Sequence, residues 1–165
     1  MTRTLCMLFL ATMVMFSCSS DKLDETTAAS LMGTWDLTAL EIDEAMASDA
    51  EQMGQDILTY LTARECYIVS FTFNEDMSMD VEDATNYIQI NVDPTGLGLE
   101  VPCPEQSDSY SSTYTYENGI VTFIDESQET VSIRINISGN TLTLAGEELQ
   151  VDNFNTGGEL DFTKR

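Results

Sequence analysis

The 165-residue sequence contains no histidine, and that absence removes most side-chain chemistry. There is no ordinary general base near neutral pH, no Ser-His or Cys-His pair for nucleophilic attack, and no imidazole to ligate a metal. The 29 Asp and Glu residues leave paired carboxylates of the glycosidase kind, but they follow no recognisable placement and the chain is short for that task. The reading is a protein that is not an enzyme. Carboxylates could instead hold calcium, and the nearest spacing is NVDPTG, where Asn91, Asp93 and Thr95 precede Gly96 as in the first half of an EF-hand loop. Pro102 stands where the closing acid belongs and no apolar helices flank the stretch, so it reads as a turn. No metal or cofactor is expected.

Four cysteines are the other reactive side chains. Residues 1–17 begin with a single cation, Arg3, and continue through an uncharged run from Leu5 to Phe16 rich in Leu, Met and Phe, the pattern of a secretory signal. At about 1.5 Å per residue that run makes roughly 18 Å of helix, short of a hydrocarbon layer of roughly 30 Å. It resembles the signals of bacterial lipoproteins, in which a small residue precedes a cysteine that is acylated and becomes the new first residue; Ser17 and Cys18 match. The resemblance implies palmitate-type chains on Cys18, and several chains make anchoring durable where one does not. The alternative is ordinary cleavage that leaves Cys18 a lone thiol. Residues 18–30 then form an acidic tether whose composition cannot build a core. Its acids Asp21, Asp24 and Glu25 resemble a surface-display signal of Gram-negative gut bacteria, although a solvated tether has the same composition. The expected address is the outer membrane, on the cell surface or on the periplasmic leaflet.

With Cys6 lost in the signal and Cys18 on lipid, Cys66 and Cys103 remain as a pair in an oxidising compartment, where a disulfide is expected. Two thiols without histidine are too few for zinc. The formal charge of −23 repels polyanions, so nucleic acid is excluded as a partner, as is docking on anionic lipid through a basic face. The acids are scattered, as on a solvated surface.

These side chains need a scaffold, and residues 31–165 supply one domain without a Pro/Gly linker. Its dominant period is two. In CYIVSFTF, Tyr67, Val69, Phe71 and Phe73 share one face, and in VSIRINI so do Val131, Ile133, Ile135 and Ile137. Further strands are expected in TWDLTAL, MSMDV, YIQINV, YSSTYTY, IVTFID, NTLTLA and ELDFTK, joined by turns at FNED, ENG, SGN and NTGG. Short links make an antiparallel meander, and about 8–10 strands in this length suit a closed up-and-down barrel, with a flattened sandwich as the alternative. One segment departs from the rhythm. From Glu44 to Leu61, Met46, Ala50, Met53, Ile57 and Leu61 recur at helical spacing, with a capping box at Ser48 and Glu51. This predicts one amphipathic helix after the first strand, set either as a plug of the core or as a lid over a ligand.

The stretch GTWDLTALEID, Gly33–Asp43, is similar to the Gly-x-Trp opening of lipocalins. With FTFNEDMSMD, YTYENGIVTF and ISGNTLTL following in order, the chain resembles the lipocalin-like domain lipoproteins of Gram-negative gut bacteria, which often carry a cysteine pair placed like Cys66 and Cys103. The resemblance implies that Trp35 closes the barrel base beneath a late basic side chain, with Lys164 and Arg165 both available. It also implies a binding module. A small apolar or amphipathic ligand would be lined by Tyr67, Phe71, Phe73 and Ile133. The alternative is an envelope interaction protein with a filled barrel, meeting other envelope proteins through loops such as GLGLEVPCPEQSDS or through Tyr110, Tyr114 and Tyr116.

Overall fold

The computed structural model describes residues 28–92, 99–149 and 157–165. Residues 1–17, Cys18 and nearly all of the tether lie outside the described residues, as do Asp93, Thr95 and Gly96 of the calcium-like spacing. A single helical turn, α1 (Ala28–Leu31), precedes β1 (Gly33–Glu41) and α2 (Asp49–Thr62). Then come β2 (Val69–Phe73), β3 (Ser78–Asp83), the two-residue strands β4 (Asn91–Val92) and β5 (Leu99–Glu100), β6 (Asp108–Glu117), β7 (Ile120–Ile124), β8 (Thr130–Ser138), β9 (Thr141–Ala145) and β10 (Glu159–Lys164).

Eight strands close into an antiparallel barrel in the order β1-β10-β9-β8-β7-β6-β3-β2, so the expected up-and-down barrel is present at the lower end of the expected strand number. The stretch YIQINV is the exception. Its first residue ends a 3-10 turn (Thr85–Tyr87), and only Asn91 and Val92 are extended, pairing with β5 in a separate two-stranded ribbon. Side-chain alternation alone could not exclude it from the barrel, because a strand and an extended loop share the same short-range period. The turns expected at FNED, ENG and SGN link consecutive strands, while Asn155 and Thr156 of NTGG lie outside the described residues. Asn118 and Gly119, at φ 53° and 77°, form the two-residue link between Glu117 and Ile120, where positive φ at both positions matches the twist of the strands.

The helix begins where its cap dictates. The Ser48 hydroxyl accepts from the Glu51 amide while the Glu51 carboxylate accepts from the Ser48 amide. That cap puts Met46 outside the helix, 83% exposed. The buried face runs instead through Leu58 and Leu61, both at 0%, with Ile57 partly buried and Met53 exposed. The helix therefore packs on the same core as the barrel and is tied to β1 by the Gln55 side-chain amide donating to the Leu40 carbonyl at 2.8 Å. Just beyond its end, Cys66 is bonded to Cys103, with Cα atoms 5.6 Å apart.

Two sets of contacts close the base. Trp35 is fully buried, its indole N–H donates to the Leu31 carbonyl at 2.7 Å, and the Lys164 ammonium sits 5.1 Å from its ring centroid while donating to the Ser30 carbonyl. Lys164 is thus the cation over the indole, a contact of about 1 kcal/mol. Gly33 makes room for it: at φ +114° a side chain would be strained, and a Cβ would lie 2.9 Å from Lys164 Cε. Arg165 serves the opposite face. Its guanidinium donates to both carboxylate oxygens of buried Asp36, at 2.9 and 2.7 Å, and Ser70 donates to the same carboxylate at 2.6 Å.

R165A leaves the buried Asp36 charge without its counter-ion. Because the Arg165 side chain is 62% exposed and water screens the pair, the expected loss in urea unfolding is about 1–2 kcal/mol. D36N, which needs no counter-charge, loses less than R165A. For the disulfide, a sequence separation of 37 sets the loss in C66S/C103S at about 4 kcal/mol in the chain-entropy account, measured as the change in unfolding free energy under non-reducing conditions.

Candidate ligand site at the barrel mouth

The meander sends every strand between two rims. At one rim lie the Asn118-Gly119 and Gly139-Asn140 links together with Trp35 and Lys164; at the other lie the ends of β3 at Asp83, β6 at Asp108 and β7 at Ile124. The barrel interior is filled unevenly between them. In the lower part Phe71 and Phe162 have ring centroids 5.3 Å apart, Phe73 meets Tyr114 edge-on at 5.0 Å, and Met79 and Leu142 complete the layer. Such aromatic pairs contribute about 0.5–1.5 kcal/mol beyond area burial. The void left among these side chains is only about 20 Å³.

The upper part is different. Between β2, β3, β6, β7 and β8 a cavity of about 290 Å³ opens at the second rim. Its floor is Phe71, Val81, Phe123 and Ile133, and its wall includes Tyr110, Val131 and Leu149. Four acids stand around it: Asp83, Asp108, Asp125 and Glu126. Three of them are oriented by neutral donors. Asp83 accepts from the Thr85 amide and hydroxyl, Asp108 from the Tyr87 hydroxyl at 2.7 Å, and Asp125 from the Glu129 amide at 2.8 Å. The Tyr110 phenol inside this rim is pushed up to about 12, first by burial and then by Glu126, Asp125 and Asp83. It stays a neutral hydroxyl across the physiological range.

Of the four residues expected to line a ligand, Phe71 and Ile133 lie at this cavity, and Phe73 lies below it in the packed layer. Tyr67 is displaced. It precedes β2, is 40% exposed, and its ring lies under the Arg165 guanidinium, 5.7 Å from centroid to Cζ. The strand begins two residues later than its alternation suggests, so the period does not carry Tyr67 inward. The opposite face of β2 is likewise not a simple polar face, since Ser70 is buried against Asp36. Tyr110, Tyr114 and Tyr116 do not form an outer contact surface; Tyr114 is core and the other two pack against it.

The acids of the mouth were not legible as a group, yet a signal exists. Asp83, Asp108 and Asp125 each sit at the strand end opposite a Gly- or Asn-bearing turn, so a meander in correct register must gather them at one rim. Trp35 does not line the cavity; it pairs across from Phe71 of the floor and packs on the side of the base.

A family model described as a lipocalin-like domain matches residues 31–144. No significant match is found among curated proteins or among solved structures. The matched span starts just before the Gly33-Thr34-Trp35 opening and ends within β9, taking in α2, the disulfide pair and the floor of the mouth. On that span and on the closed eight-stranded barrel, the chain belongs to the lipocalin-like domain family.

Proposed function

We propose that the protein is an exported, Cys18-anchored lipoprotein of the outer membrane whose barrel mouth holds one small amphipathic molecule. The observation that carries the binding half is the cavity of about 290 Å³ with an apolar floor and a polar rim. That volume is at the lower end of the roughly 300–1,000 Å³ of ordinary ligand sites, so the ligand is of the size of a fused ring with a short polar arm. The lower barrel beneath it is densely packed. The anchoring half rests on the apolar run, Ser17 and Cys18 in the sequence. The dense lower barrel favours a second reading, a non-catalytic envelope interaction or structural module.

The two halves have separate tests. In intact-mass analysis of protein extracted from envelopes, the expected species begins at Cys18 and is heavier by acyl chains. C18A is expected to be released from the membrane fraction, and an unacylated wild type would refute the anchor. For binding, the full-length protein in lipid nanodiscs is titrated with naphthylethanol, with empty nanodiscs as blank. One saturable site is expected, abolished by V131W, which fills the mouth, and kept by Y67A, which alters a ring outside the cavity. Because Trp35 does not itself line the cavity, the probe's own emission is followed. A protein indistinguishable from the blank would favour the interaction module.

A further inference from the structure

The chemistry of the mouth specifies more than size. It is a concave pocket with an apolar floor and a polar rim that carries Asp83, Asp108, Asp125 and Glu126. Among the described residues no Lys or Arg lines it. Arg64 donates to the Val101 carbonyl beside the end of α2, Lys164 and Arg165 are at the base, and Arg134 is on the exposed face of β8. The donors that orient Asp83, Asp108 and Asp125 are amides and hydroxyls, which fix the carboxylates without cancelling their charge. Acidity is common on this chain, but here it rims a pocket with low-dielectric walls, where field lines are focused and a counter-charge is attracted more strongly than on a convex face. The Tyr110 ring stands in the same wall, and an aromatic face adds a second attraction for a cation.

A divalent metal ion does not suit this arrangement. Among the described residues, no three of the Asp, Glu and Cys side chains are grouped closely enough to ligate one. The charge is spread around the rim, while the floor of Phe71, Phe123 and Ile133 calls for an apolar body. We infer that the ligand of the barrel mouth is a cationic amphiphile, an organic ammonium whose positive group lies among Asp83, Asp108, Asp125 and Glu126 and whose apolar body lies on Phe71, Phe123 and Ile133. This inference rests on the binding reading given above and names the class of molecule bound.

The test compares three probes of one shape on the full-length protein in nanodiscs of neutral lipid: naphthylethylammonium, naphthylethanol and naphthylacetate. The ammonium member is expected to bind about tenfold tighter than the alcohol at low salt, with naphthylacetate weakest. The preference should shrink as ionic strength rises from about 20 mM to about 500 mM, because exposed charges are screened over a shortening Debye length. In D125N/E126Q the ammonium-to-alcohol affinity ratio should fall towards one. E126Q alone, at an exposed position, should lower it partway if the double variant folds poorly. Folding is checked by thermal melting, and spectrophotometric titration of Tyr110 should show its phenol moving back towards the ordinary tyrosine range as the rim loses charge. Equal affinity of alcohol and ammonium would overturn the inference and leave the binding reading standing, whereas failure of all three probes to bind would overturn both.

Discussion

The structure depends on closing the first barrel strand onto the last. β1 and β10 lie at the two ends of the domain sequence and pair antiparallel from Trp35 opposite Lys164 to Glu41 opposite Glu159. An eight-stranded meander without that seam would expose two edges to other chains. Contacts at the base make the closure specific. On the inner side Lys164 lies over Trp35, permitted by the missing side chain at Gly33, and on the outer side Arg165 meets Asp36, which Ser70 of β2 also binds. One residue of register slip would exchange these faces, placing an ammonium where a carboxylate needs a guanidinium.

With the base closed and filled, the geometry of the mouth follows. Aromatic side chains of β2, β6 and β10 fill the lower volume, whereas above Phe71 and Phe123 the lining side chains leave about 290 Å³ open. The helix α2 seals one flank through Leu58 and Leu61, and the Cys66–Cys103 bond ties the chain just after it to the segment leading into β6. The result is a closely packed support beneath the concave mouth. A cavity on such a support can select its ligand by shape and charge without a large ordering cost on binding.

The charge of the protein takes on a different meaning in this light. Over most of the surface an excess of carboxylates gives solubility and repulsion of polyanions. At the mouth the same residue type is gathered around an apolar floor, so that repulsion of one class of molecule becomes attraction for another. The neutral donors at Thr85, Tyr87 and Glu129 matter for that reason: a lysine in their place would fix the carboxylates equally well and cancel the field.

Much of the fold was legible in the residues themselves. The two-residue period of VSIRINI and CYIVSFTF, the Asn-Gly link, the Ser48–Glu51 cap and the Gly-x-Trp opening each act over a few neighbouring positions, and all appear in the structure close to where the sequence places them. What it could not decide depends on distant partners. Lys164 and Arg165 differ by one position, and only the register against β1 assigns the first to Trp35 and the second to Asp36. Tyr67 and Phe71 share a parity, yet only the start of β2 tells the exposed ring from the buried one. Asp83, Asp108 and Asp125 are scattered along the chain and become one rim solely because strand pairing returns each of them to the same end of the barrel. Local propensity acts through bonds a few residues long, whereas a binding site is a fact about where the chain comes back to itself.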